Sequence, residues 1–116
     1  MVRVIVVPET PDFEHDVTHG NVVWINNNLG KPQLDNCRYL APLWITNRSV
    51  DRIYHIRSVQ DGADSTEIRL GNSFVLPDDV DFSPGQMRRF EYHDLSEFGM
   101  IEICPGLLIG AGGWRG

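Results

Sequence analysis

The stretch from Arg38 to Val59 reads R-Y-L-A-P-L-W-I-T-N-R-S-V-D-R-I-Y-H-I-R-S-V, and its pattern decides the fold class. Over Arg38–Thr46, alternation puts Tyr39, Ala41, Leu43 and Ile45 on one face and Leu40, Pro42, Trp44 and Thr46 on the other. Both rows are largely apolar, so this is a strand covered on both sides. Pro42 has no N–H to give a ladder, which predicts an edge position or a bulge. After a short turn at Asn47–Ser49, Val50–Val59 reads as a second strand. Its apolar residues Ile53, Ile56 and Val59 recur every third position rather than every second. In a β-branched run that spacing predicts a β-bulge or a strong bend, not a helix.

Working outward, the same chemistry repeats. Val2–Pro8 is a β-branched run closed by proline, and Asn21–Asn26 is a short strand. Glu9–Gly20 between them is a polar excursion, long for a structureless connection. Asp61–Ser65 (D-G-A-D-S) is hairpin-loop chemistry. Thr66–Leu70 is a strand ending at Gly71, and Ser73–Leu76 extends to Pro77 before an acidic loop at Asp78–Gly85. Met87–Tyr92 is a further strand. Asp94 followed by Glu97 has the offset of a capping box, predicting one short helical turn near 94–98. Met100–Ile109 is a last strand, broken by Pro105-Gly106. Nowhere does a helical period persist over three turns. The expectation is a mostly-β protein, a small curved β-barrel of five to seven strands with at most one or two short helical turns. Residues 1–109 form its single domain and 110–116 a flexible Gly-rich tail.

The chain has 116 residues, which suits one domain with its own core. No apolar run approaches the roughly 18 residues of a membrane-spanning helix. Ten basic and sixteen acidic residues give a net charge of −6, which disfavours tight nonspecific binding to duplex nucleic acid. Nearly all the basic residues are Arg, concentrated between 38 and 89. The two cysteines, Cys37 and Cys104, have no metal-type spacing. Without a secretory pattern, reduced thiols in a cytoplasmic protein are expected, with Cys104 a small core residue.

Catalytic signatures are absent: there is no G-x-S-x-G elbow and no phosphate loop. His15 and His19 stand four apart, but the metalloprotease glutamate is missing and the segment has no helical stripe. His55 lies mid-strand, where a packed or solvated histidine is the ordinary reading. The more suggestive set is aromatic and polar: Trp24 with Asn26, Tyr39, Trp44, and Tyr54 with Arg52. Rings of this kind with Asn and Arg donors can hold a flat heterocycle by stacking and edge hydrogen bonds. Packing of the same rings into a core is the competing reading.

The segments R-Y-L-A-P-L-W-I-T, V-D-R-I-Y-H-I-R-S-V, I-R-L-G-N-S-F-V-L-P and R-R-F-E-Y-H-D-L, spread over residues 38–95, resemble small β-barrel modules of the PUA-like superfamily, of the EVE and ASCH kind. That resemblance implies a curved barrel with a pocket for a nucleobase, often a modified one, in a reader or sensor attached to defence or RNA-processing effectors. Trp24, Tyr39, Trp44 and Tyr54 would line the pocket, with Asn26 and Arg52 as polar readers. The basic groove usual in such modules is missing here. The leading expectation is therefore a non-catalytic module that recognises a nucleobase-like ligand, nucleotide or nucleic acid, without cofactor, metal or membrane. One rival is a small acidic interaction or oligomerising protein, possibly encoded by a phage or mobile element, with Met100–Ile109 as a seam. The other is a metal-dependent or acid–base hydrolase using His15, His19 or His55.

Overall fold

A computed structural model describes residues 2–9, 21–26, 34, 37–44, 48–81 and 90–110. Among the described residues eight strands run in chain order: β1 (Arg3–Glu9), β2 (Val22–Asn26), β3 (Cys37–Trp44), β4 (Ser49–Asp61), β5 (Ser65–Asp81), β6 (Glu91–Asp94), β7 (Met100–Cys104) and β8 (Leu107–Gly110). A four-residue 3-10 helix at Leu95–Phe98 is the only helix among the described residues. Six strands form one mixed sheet in the order β2-β5-β4-β3-β1-β6, and β7 pairs with β8 in a separate hairpin. The β1–β3 pair is parallel, and the other ladders are antiparallel. The fold is thus mostly β. Among the described residues no ladder joins the edge strands β2 and β6, so the sheet is open there.

The alternation in β3 is realised. Tyr39, Ala41 and Leu43 join Val4, Val6, Val50, Ile53, Leu76, Leu95, Phe98, Met100 and Leu108 in one core. Leu40 joins Ile5, Val7, Val23, Ile25, Cys37, Tyr54, Ile56, Ile68 and Leu70 in another, with Trp44 packed against it. The first core lies between the sheet and a covering layer made of the 3-10 helix and the β7–β8 hairpin. Pro42 is not on an edge, since β3 sits between β4 and β1. It lies instead where the β3–β4 ladder is interrupted between Leu40 and Trp44, while on its other side it pairs with Val7 of β1.

The irregular spacing of Ile53, Ile56 and Val59 corresponds to register shifts on both sides of Ile56. Tyr54 pairs with Ser73 and Ile56 with Leu70, so His55 alone faces Gly71 and Asn72. Ser58 then pairs with Arg69, so Arg57 is the extra residue on β4. Bulges of this kind bend both strands. The strand expected to stop at Gly71 runs on through Pro77 to Asp81 as β5. Pro77 is accommodated because the β4–β5 ladder is interrupted between the Arg52–Val75 and Val50–Val80 pairs.

Three boundaries differ from expectation. Of the strand expected at Met87–Tyr92, residues 87–89 lie outside the described residues; the strand that is described, Glu91–Asp94, runs two residues further and pairs with β1 from Val6↔Glu91 to Arg3↔Asp94. Met100–Ile109 is two strands, because Pro105 and Gly106 (φ 88°) reverse the chain. Cys104 is exposed rather than core. The β7–β8 register shifts between Glu102 and Cys104, which carries Cys104 out of the inward row that starts at Met100. The excursion at 10–20, with His15 and His19, and the tail at 111–116 lie outside the described residues.

The short helix is specified by its cap. Asp94 Oδ1 accepts the Ser96 N–H at 3.0 Å, and Glu97 Oε2 accepts the Asp94 N–H at 2.9 Å, closing the capping box. Gly99 ends the helix at φ 69°, where glycine is favoured. The helix puts Leu95 and Phe98 into the first core. Phe98→Ala is expected to destabilise the fold by about 3–5 kcal/mol and Asp94→Ala by about 1 kcal/mol, read as urea-midpoint shifts. A Phe98→Ala loss below that of Asp94→Ala would show that the helix is not a covering layer.

Candidate functional site

Trp44, Arg52 and Tyr54 are brought together on the second face of the sheet. The Trp44 indole Nε1–H donates to Asp51 Oδ1 at 3.0 Å, and Arg52 Nε donates to the same oxygen at 3.1 Å. The Arg52 guanidinium stands 5.9 Å from the Trp44 ring, within cation–π range. Burial pushes the Asp51 carboxyl up, but hydrogen bonds from Arg52 and Trp44 outweigh it and hold it below its ordinary value. Hydrogen bonds to Asp51 and Tyr54 stabilise the Arg52 charge further. The Trp44 N–H and two of the Arg52 donors are thus engaged by Asp51.

Tyr39 faces the other way, into the first core, and is fully buried. Trp24 is 60% exposed on the edge strand β2. Its neighbours Val23 and Ile25 belong to the second core, so alternation puts Trp24 on the first face, opposite Trp44 and Tyr54. Asn26 pairs with Ser65 at the end of β2. The expected convergence of Trp24, Tyr39, Trp44 and Tyr54 on one hollow does not occur. A sheet residue can reach one side only, and these rings are divided between two.

A cleft does open on the first face, beyond the end of the covering hairpin. It has a volume of about 380 Å³ and is lined by Asn21, His55, Arg57, Leu70, Gly71 and Asn72. Every residue of the double bulge except Ile56 contributes to it. The sequence signal of the bend therefore marked the place, although Arg57, Gly71, Asn72 and Asn21 had not stood out as candidates. A glycine inside a strand run is itself a sign of close approach. A Cβ on Gly71 would stand 2.9 Å from Arg57 Cγ and 3.5 Å from His55 Nδ1.

The wall toward the hairpin is held by a hydrogen-bonded chain. The Tyr39 hydroxyl donates to Glu102 Oε2 at 2.6 Å and accepts the Gly106 N–H at 3.0 Å. Arg38 pairs with Glu102 Oε1 at 3.5 Å. The Tyr39 ring lies 5.5 Å from the His55 ring, and a Cβ on Gly106 would meet His55 at 3.1 Å. Burial and the bond to Glu102 push the Tyr39 phenol up to about 12. Further along the face, Arg69 pairs with Glu67 at 3.1 Å.

No group of three or more His, Cys, Asp or Glu among the described residues could hold a metal ion. No helix among them is long and apolar enough to cross a membrane. On the hairpin, Ile101, Ile103 and Leu107 are exposed, while Met100 and Leu108 carry its packing. Comparison with family models, curated proteins and solved structures finds no match for the chain.

Tyr39→Phe removes the oxygen that joins Glu102 to Gly106. The expected loss of stability is about 1–3 kcal/mol, because a carboxylate bond is involved. A raised phenol also fixes a pH window. The native state holds its Tyr39 proton beyond the ordinary 10.0, so this contribution is whole below pH 10.0 and lost as pH rises through about 12. Stability curves of the wild type and Tyr39→Phe should therefore converge only in that alkaline window; a constant gap through it would contradict the assignment.

Proposed function

We propose that this protein is a non-catalytic binding module that recognises a ligand carrying a nucleobase, a nucleotide or a nucleic acid, on the first face of the sheet. The observation that carries the reading is the cleft at the double bulge. Among the described residues its lining offers Arg57, His55, Asn21 and Asn72 and no carboxylate, in a chain of net charge −6. Trp24, on the same face, supplies the flat apolar surface on which a base can stack. Asn21 lines the cleft at the residue before β2, and Trp24 follows three residues later, at most about 10 Å away by the reach of the chain. One nucleotide can span that interval with its base at Trp24 and its polar end in the cleft.

The resemblance of residues 38–95 to PUA-like modules supports the same class of ligand. The reading moves the recognition surface from Tyr39, Trp44, Arg52 and Tyr54 to Trp24 and the cleft. In this reading the Trp44–Asp51–Arg52–Tyr54 cluster stiffens β3 and β4 from behind. A cytoplasmic setting, which keeps the free Cys37 and Cys104 as thiols, fits this role.

A thermal-shift screen of nucleosides, nucleotides and short oligonucleotides tests the reading, because a ligand of the folded state raises the melting temperature by mass action. Trp24→Ala is expected to weaken the best ligand by about 1–3 kcal/mol, the usual worth of one stacked base, without altering the melting temperature of the free protein. A screen in which no base-bearing compound shifts the melting temperature would overturn the reading.

A further inference from the structure

Building on that reading, we infer that the cleft between His55, Arg57, Gly71 and Asn72 is a seat for a single phosphate group, with the Arg57 guanidinium as its principal donor. Arg57 makes no ion pair among the described residues. Among the described residues of this face, Glu102 is engaged by the Tyr39 hydroxyl and Arg38, and Glu67 by Arg69. Among the described residues of this face, Arg57 is therefore the guanidinium whose charge is left for a ligand. A guanidinium fork suits a phosphate because two parallel N–H bonds can reach two oxygens. The His55 ring N–H and the amides of Asn21 and Asn72 complete a donor set around the same space.

Two glycines hold the donors in place. The bare Cα of Gly71 lets the Arg57 stem lie flat across β5, where any Cβ would collide at 2.9 Å with Cγ and 3.1 Å with Cδ. Gly106 gives the His55 ring the same close rest, at 3.1 Å, from the hairpin side. The cleft volume of about 380 Å³ suits one phosphate with part of its sugar. A net charge of −6 opposes contact with a long phosphate backbone. The ligand chemistry is a phosphate monoester or chain-end phosphate next to a base.

Calorimetric titration with the four nucleoside 5′-monophosphates, their nucleosides and inorganic phosphate tests this. The monophosphates are expected to bind about tenfold or more tightly than the nucleosides, with a salt slope of about one phosphate. Arg57→Gln should erase the difference. Gly71→Ala should reduce it while leaving the melting temperature of the free protein nearly unchanged. Equal binding of nucleosides and monophosphates would overturn the phosphate seat and leave the base-binding reading standing. Arg57-dependent binding of inorganic phosphate with no gain from a base would support the seat and overturn the base-binding reading. Absence of binding by monophosphates and inorganic phosphate alike would overturn the seat. A short oligonucleotide compared with and without a 5′-phosphate separates the sources: a phosphate-dependent gain assigns the seat to chain ends, and no gain assigns it to free nucleotides.

Discussion

The Tyr39 hydroxyl sits on the line where the covering layer of the first face ends. Below it, the ring is buried with Phe98, Met100 and Leu108 under the 3-10 helix and the hairpin. At the line, its oxygen joins Glu102 of β7 to the Gly106 N–H of the β7–β8 turn. Past it, the sheet face carries His55, Arg57, Arg69 and Trp24. The separate hairpin shares no ladder with the main sheet, so apolar packing and this hydrogen-bonded chain must dock it. A buried hydroxyl between two partners fixes position more sharply than apolar contact, which is non-directional. The covering layer therefore ends at a defined residue, and the space beyond it has a fixed wall.

Much of this was legible in the sequence, for reasons tied to particular residues. Two-sided apolar alternation in Arg38–Trp44 could only be satisfied by a sheet covered on both faces, and that is its place. Asp94 and Glu97 stand at the one offset that lets each side chain serve the other's backbone. The three-residue spacing from Ile53 to Val59 required extra residues in a ladder, and the ladder has them. Less legible was anything that depends on which strands become neighbours. The parallel pairing of β1 with β3 leaves no local trace, since parallel partners are not joined by a turn. Aromatic residues in a strand announce a face, but which face is covered depends on where the hairpin docks. Trp24 and Tyr54 look alike in sequence; one is open to solvent and the other buried.

Net charge was the least informative quantity for the site. The overall −6 argues against nucleic-acid contact if charge is spread evenly. On the first face it is not spread evenly in effect, because Glu67 and Glu102 are each held by an arginine. Among the described residues of that face, Arg57 is the guanidinium without an ion pair.

Gly71 shows why the bend and the cleft belong to one device. Glycine inside a strand destabilises it by roughly 0.5–1 kcal/mol relative to alanine, and sheet interiors tolerate it where a backbone or side chain must come close. Here what comes close is the stem of Arg57, the residue that the bulge adds to β4. A regular ladder would place a side chain at 71 and no extra residue at 57. The double register shift does both things at once: it brings a cation onto the face and clears the floor beneath it. That floor lies on β4 and β5, which pair with each other and each have a further partner strand. A site built on paired strands keeps its geometry without a ligand to organise it. The small covering layer is then part of the design, since a hairpin one turn longer would roof the cleft that the bulge opens.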